Sequence, residues 1–323
     1  MTTRNKNVVR VAVLALFAAA CFVATQIDYQ DISDRITSSQ FEPSAEVADL
    51  SGNLELTDKG KRILYASSPV VAEGKEFNTN CAGGGDEHVN VLGCYYAKKI
   101  FVFAVKNDQV AGIKEVTLAH ELLHAVWARL GEREHTKLGA LLRQVYEKNA
   151  YLNDKMQYYA PSEFENELHS IVGTEVRDLP EELELHYAKY FKNRAAIVTT
   201  FEGYNEVFNQ LMAQSEELSA KMAVLEKDIT ALKTDYEGRR DTLNAEITDF
   251  NRRADNHAFA SNSDFYSERA ILERDINDLN GLYEEINQKI SEYNNLVEQY
   301  NAISVHLTEL ANSISSATPP VEF

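Results

Sequence analysis

His120, Glu121 and His124 stand in the order His-Glu-Leu-Leu-His. On an α-helix, residues four apart lie on one face one turn apart, so two imidazole nitrogens can reach one metal ion. Glu121 sits beside the first ligand, where a carboxylate can reach a metal-bound water. Zinc held by three protein groups keeps an open position for that water and lowers its pKa to near 7. Glu121 would then take the proton as general base and pass it to a leaving amine. The alternative is a pair of ordinary helix histidines, exposed or hydrogen-bonded, with no metal.

The elements that must position these groups can be read around them. A helical stretch begins near Ile113 and runs to about Leu130, where Gly131 is a plausible stop. Val116, Ala119, Leu123, Val126, Trp127 and Leu130 are its packing residues. Upstream, Lys99 to Val105 is a β-branched and aromatic run of strand length, which Tyr95 and Tyr96 could extend; Lys106-Asn107-Asp108 follows as a turn. Further helical segments are expected over about 134–150 and 161–177 and from Pro180 onward, with Pro161 and Pro180 in first-turn positions. Residues 56–198 thus read as one globular domain, mainly α with a small sheet (α+β).

His120-Glu121-x-x-His124 on a helix behind a strand resembles the zincin metallopeptidases, over about residues 95–180. The third ligand decides the branch. Metzincins place a histidine six residues after the second, where this chain has Leu130; Gly131 is out of place, and His135 is eleven residues on. The gluzincin branch takes a glutamate from a later helix, and Asn166-Glu167-Leu168-His169-Ser170 matches its Asn-Glu-x-x-Ser form. The resemblance implies Glu167 as third ligand, with Glu175, Glu163 and His169 as rivals. Small Ser170 would let the two helices approach. Ile171 departs from the thermolysin-like pattern, which has there an aspartate that orients the first histidine. An oxyanion donor is also implied, with Tyr158, Tyr159, His186 and Tyr187 as candidates. So is a polypeptide substrate paired with the edge strand, expected at Lys99–Val105.

The flanks set location and partners. Arg4, Lys6 and Arg10 precede an uncharged run from Val11 to Thr25, so residues 1–27 read as a membrane anchor with the N-terminus inside and the rest outside; a cleaved signal and secretion are the alternative. Residues 28–55 are polar, without clear period, and read as a linker. Outside the cytoplasm, Cys81 and Cys94 would form a disulfide; the alternative is two free or packed thiols. From about 199 to 314, apolar residues recur in steps of four and three. Leu218, Met222, Leu225, Ile229, Leu232 and Tyr236 form one series, which skips Arg239 and resumes at Leu243. Leu272, Ile276, Leu279, Tyr283, Ile286, Ile290, Tyr293, Val297 and Tyr300 form another. That is coiled-coil spacing. Turn formers between Asn251 and Ser267 favour an antiparallel hairpin over a parallel dimer. The hairpin could brace the domain, bind a protein partner or self-associate. Residues 315–323 read as a disordered tail. The net charge of −18 argues against nucleic acid, whose phosphates need a basic face.

The expectation is therefore a zinc-dependent metalloendopeptidase on the outer side of a membrane. Glu121 is its base, and His120, His124 and Glu167 hold Zn2+. The rival is an anchored coiled-coil scaffold with an inactive zincin-like domain, and a zinc hydrolase acting on a non-peptide bond is a third reading.

Overall fold

A computed structural model describes residues 29–81, 92–157 and 159–316. The expected anchor over 1–27, the glycine run after Cys81, Tyr158 and most of the tail lie outside the described residues. Among those described, no helix is long and apolar enough to cross a membrane. The chain divides into two units: Met1–Glu206 with Asn312–Phe323, and Val207–Ala311. It is mostly helical, with a small three-stranded sheet and a long helical hairpin.

The segment expected to be a linker is instead ordered structure of the first unit. It forms α1 (Tyr29–Gln40) and α2 (Ala45–Asn53), and α2 opens on Ser44, whose side chain accepts from Val47 N. Val47, Leu50 and Leu54 are buried in the core. Thr57 caps α3 (Asp58–Ala66) in the same way, its hydroxyl accepting from Gly60 N.

The sheet comprises β1 (Val70–Ala72), β2 (Gly93–Tyr96) and β3 (Lys99–Phe103), in the order β1-β3-β2. β1 runs parallel to β3 with Val70 opposite Phe101. β2 runs antiparallel with Gly93 opposite Val102. Tyr95 and Tyr96 therefore do not extend β3; they belong to a separate strand. Ala97 and Lys98 form the two-residue turn between them, both at positive φ (49° and 65°), as a type I′ turn demands. β3 is consequently the central strand and not an edge, which corrects the expected substrate-pairing strand. One face of β3, Ile100 and Val102, joins the main core. Phe101 packs on the other face with Ala72, Cys94 and Phe77 of α4 (Gly74–Cys81). A disulfide joins Cys81 at the end of α4 to Cys94 on β2.

α5 (Ile113–Trp127) carries the His-Glu-Leu-Leu-His run and lies against β2, β3, α2, α3 and the later helix over Phe164–Glu175. Leu118, Ala119, Leu122, Leu123 and Ala125 are all at most 1% exposed, so this helix is buried nearly all round. Each leucine so buried contributes about 2 kcal/mol. α6 (Glu132–Tyr146) answers the helix expected over about 134–150, and α7 (Ala150–Met156) follows it as a separate short helix. They lead to α8 (Phe164–Glu175), α9 (Glu181–Tyr187) and the long α10 (Arg194–Asp255). α8 packs closely on α5. A Cβ on Gly173 would lie 2.3 Å from a Leu123 methyl and 2.7 Å from the Tyr187 ring, so glycine sets that approach. Buried Arg194 donates to the carbonyls of Val176 and Arg177, both at 2.7 Å, and pairs with Glu184, tying off the end of α8.

The second unit, Val207–Ala311, is a hairpin of α10 beyond Glu206 with α11 (Asn262–Ser313) as far as Ala311. Leu243, Phe250 and Leu272 form one buried cluster, Leu218, Leu225, Ile229 and Ile286 are buried further along, and Lys289 pairs with Asp228 across the seam. At the tip, Phe250, Phe259 and Phe265 form a ring cluster with centroids 5.1–5.2 Å apart. Ser261 caps α11 by accepting from Asp264 N.

Candidate metal centre

His120 and His124 come from one face of α5, and α8 brings Glu167 to them. The three side chains form the metal-capable group found among the described residues. His120 Nε2 and His124 Nε2 are 3.0 Å apart. Glu167 Oε2 lies 3.6 Å from His120 Nε2, and Glu167 Oε1 lies 3.4 Å from His124 Nε2. Ligands of a tetrahedral zinc at its usual bond lengths stand about 3.3 Å from one another. The three separations bracket that value, so the group can hold a metal ion.

Two further observations fit a cation. Glu167 is buried, and its Oε2 has no hydrogen-bond donor, a costly state for an ionised carboxylate unless a positive charge is near. Asn166 Oδ1 lies 3.0 Å from His124 Nδ1. A carbonyl oxygen only accepts, so this contact holds the proton on Nδ1 and leaves the Nε2 lone pair facing His120 and Glu167.

The charges agree with this. Burial opposes protonation of His120, but the Glu167 carboxylate beside it and the charge of Glu121 hold its pKa above the usual histidine range. Burial lowers the pKa of His124, and His120 adds to the effect. Burial works to raise that of Glu167, yet His124 and His120 outweigh it and keep the carboxylate ionised. Glu121 is 4% exposed and lies under β2. A Cβ on Gly93 would come within 2.6 Å of Glu121 Oε1 and of the Thr117 methyl.

The rivals for third ligand go elsewhere. Lys155 Nζ lies 2.7 and 2.6 Å from the two oxygens of Glu175, and Tyr151 donates to the same carboxylate. Glu163 is exposed at the start of α8. His169 turns away from the centre, with its Nε2 2.9 Å from His186 Nε2. Two of the oxyanion candidates are also occupied: the His186 ring faces His169, and Tyr187 donates to His169 O at 2.8 Å. Tyr159 is half-buried ahead of α8. His135, which does not fit as a ligand, stacks on Trp127 and donates through Nε2 to Trp127 O at 2.9 Å, closing the end of α5. Ile171 is wholly buried and apolar, so no acidic group stands at that position to orient His120.

The Asn-Glu-x-x-Ser pattern contains Asn166 but by itself gives that residue no role. Sequence reasoning also missed Gly93, because nothing near Gly93 in the chain signals a helix 28 residues away. No protein-family profile, curated protein or solved structure matches the chain.

Proposed function

We propose that the protein is a zinc-dependent metallopeptidase of gluzincin-like type, held on the outer face of a membrane by residues 1–27. The observation that carries this reading is the convergence of His120, His124 and Glu167 on one point, with the charge of Glu121 close enough to act on His120 and Asn166 orienting His124. His120, His124 and Glu167 would hold the zinc. When bound, the ion would supply a Lewis acid that acidifies a water and polarises the carbonyl under attack. Glu121 takes the proton of the attacking water and returns it to the leaving amine. Its burial under β2 excludes bulk water from that carboxylate.

The substrate in this reading is an extended polypeptide, and the pairing edge is β2. Phe103 N donates to Leu92 O, so residues 92 and 103 are a hydrogen-bonded pair. In an antiparallel ladder the next pair, Gly93 with Val102, then turns its amide and carbonyl groups outward. Gly93 and Tyr95 thus offer backbone groups along a side of β2 that no described strand occupies, directly beside Glu121. The Cys81–Cys94 disulfide supports an oxidising, extracytoplasmic location.

The test is the zinc content of the purified chain beside Glu121→Gln, Glu167→Ala and Glu175→Ala, with hydrolysis of labelled casein measured in parallel. The parent should carry about one zinc per chain. Glu167→Ala should lose it and Glu175→Ala should keep it. Glu121→Gln should keep zinc and lose turnover. A parent that takes up no zinc would favour the scaffold reading, and full activity in Glu121→Gln would remove the assigned base.

A further inference from the structure

α1 carries its polarity inside out. Toward the domain it presents Asp34, which is 5% exposed and takes Arg129 Nε at 2.7 Å and Nη2 at 3.0 Å. Gln30 donates to the same carboxylate at 2.9 Å, and Asp31 pairs with Arg62 at 3.0 Å. Away from the domain it presents Tyr29, Ile32 and Ile36, which are 70%, 46% and 55% exposed. Their spacing puts them on one helical face. A helix packed on a water-soluble core does the reverse, burying its apolar stripe.

The sequence supplies the occupant of that face. Only three residues separate the end of the uncharged run Val11–Thr25 from Tyr29. Four residue steps of fully extended chain reach about 14 Å. The headgroup layer on one side of a bilayer is about 5–8 Å thick. If the run lies in the hydrocarbon, α1 must therefore start in or just above the headgroups. Tyrosine favours that zone, and the stem of Arg35 can lie along it with its charge in water. We propose that α1 lies on the bilayer surface with Tyr29, Ile32 and Ile36 among the lipid chains' upper segments. This rests on the membrane-anchor reading of the preceding subsection. The bidentate Asp34–Arg129 pair fixes the orientation. Arg129 also donates to Tyr95 OH at 3.2 Å and to Ala125 O at 2.8 Å, so the lipid-facing helix is joined to both α5 and β2.

The experiment uses the full chain with Cys21→Ala in phosphatidylcholine vesicles. Nitroxide labels are placed singly at Ile32→Cys, Ile36→Cys, Leu16→Cys and, as an exposed reference on α6, Lys137→Cys. Collision with oxygen against collision with a water-soluble nickel chelate gives depth. Labels at 32 and 36 should favour oxygen several-fold over the label at 137. If 32 and 36 match 137 while 16 lies in lipid, surface docking is overturned and the anchor stands. If all four lie in water, both readings fall. If 16 lies in water but 32 and 36 in lipid, docking stands without the span. Spin–spin broadening at 32 and 36, with poor access to either reagent, would show a second copy on this face and overturn the proposal.

Discussion

Gly93 has no side chain, and Glu121 occupies the space one would fill. A methyl group there would lie 2.6 Å from Glu121 Oε1 and 2.8 Å from its Cγ, so strand or carboxylate must shift. The metal-capable group is built on α5 and α8 and does not include β2. Gly93→Ala should therefore retain zinc while casein turnover falls about a hundredfold, the usual effect of displacing a reacting group by about an ångström. Zinc content and turnover measured on one preparation separate the two effects; unchanged turnover would mean that the position of Glu121 against β2 does not matter. At this scale the sequence was informative wherever chemistry needed fixed spacing. His120, Glu121 and His124 follow from one helical turn, and Asn166-Glu167-x-x-Ser170 pointed to the third side chain of the group. Gly93 could not be found that way, because its role comes from a tertiary approach and glycine at a strand end has many local explanations.

Between elements, α8 and α9 meet through two buried histidines. His169 Nδ1 has no partner, so the less costly arrangement leaves it as a bare lone pair and has Nε2–H donate to His186 Nε2. Both rings are then neutral. Burial, with smaller effects of Lys189 and Lys59, pushes the pKa of His186 down to about 4, and burial lowers that of His169 well below the ordinary value. An unfolded histidine titrates near 6.5. Between pH 6.5 and 4 the unfolded chain thus binds more protons, and stability is lost as pH falls through that window. The His186 contribution is up to about 3 kcal/mol. Thermal midpoints of the parent should drop steeply over this range, and His186→Gln should flatten the slope; equal slopes would show that His186 is not held neutral.

The same scale explains which elements the sequence concealed. α1 escaped because its inward residues are polar, so a search for apolar period finds nothing there. The β2–β3 turn escaped because Ala97 and Lys98 take positive φ without the usual Gly or Asn. In the hairpin, Ile276 has seam spacing but is 38% exposed, and Tyr283 is 53% exposed although its ring meets Tyr236 of the facing helix with centroids 5.9 Å apart, while Asp275 and Leu282 are half-buried. Two neighbouring columns carry apolar residues in α11, and the facing helix decides which one is covered.

For the whole molecule, what matters is that the two units have separate cores. The cluster that surrounds the candidate site runs from Leu50 to Phe201, with Tyr204 packed on it, and contains no residue of Val207–Ala311. The hairpin has its own contacts, from Leu243, Phe250 and Leu272 at one end to the Asp228–Lys289 pair further along. Every group proposed to bind metal or move a proton lies in the first unit. A large apolar core is the dominant stabilising contribution in such a unit. Replacing Val207–Ala311 with a short Gly-Ser linker between Glu206 and Asn312 should therefore leave about one zinc per chain and casein turnover within about twofold of the parent. Circular dichroism should show that helix content falls by the share the hairpin contributes, with the remaining transition still cooperative. Retained zinc with lost turnover on large substrates alone would assign the hairpin to substrate capture. Loss of zinc itself would mean that the first unit needs the hairpin to fold, and the separation of cores would not be a separation of stability.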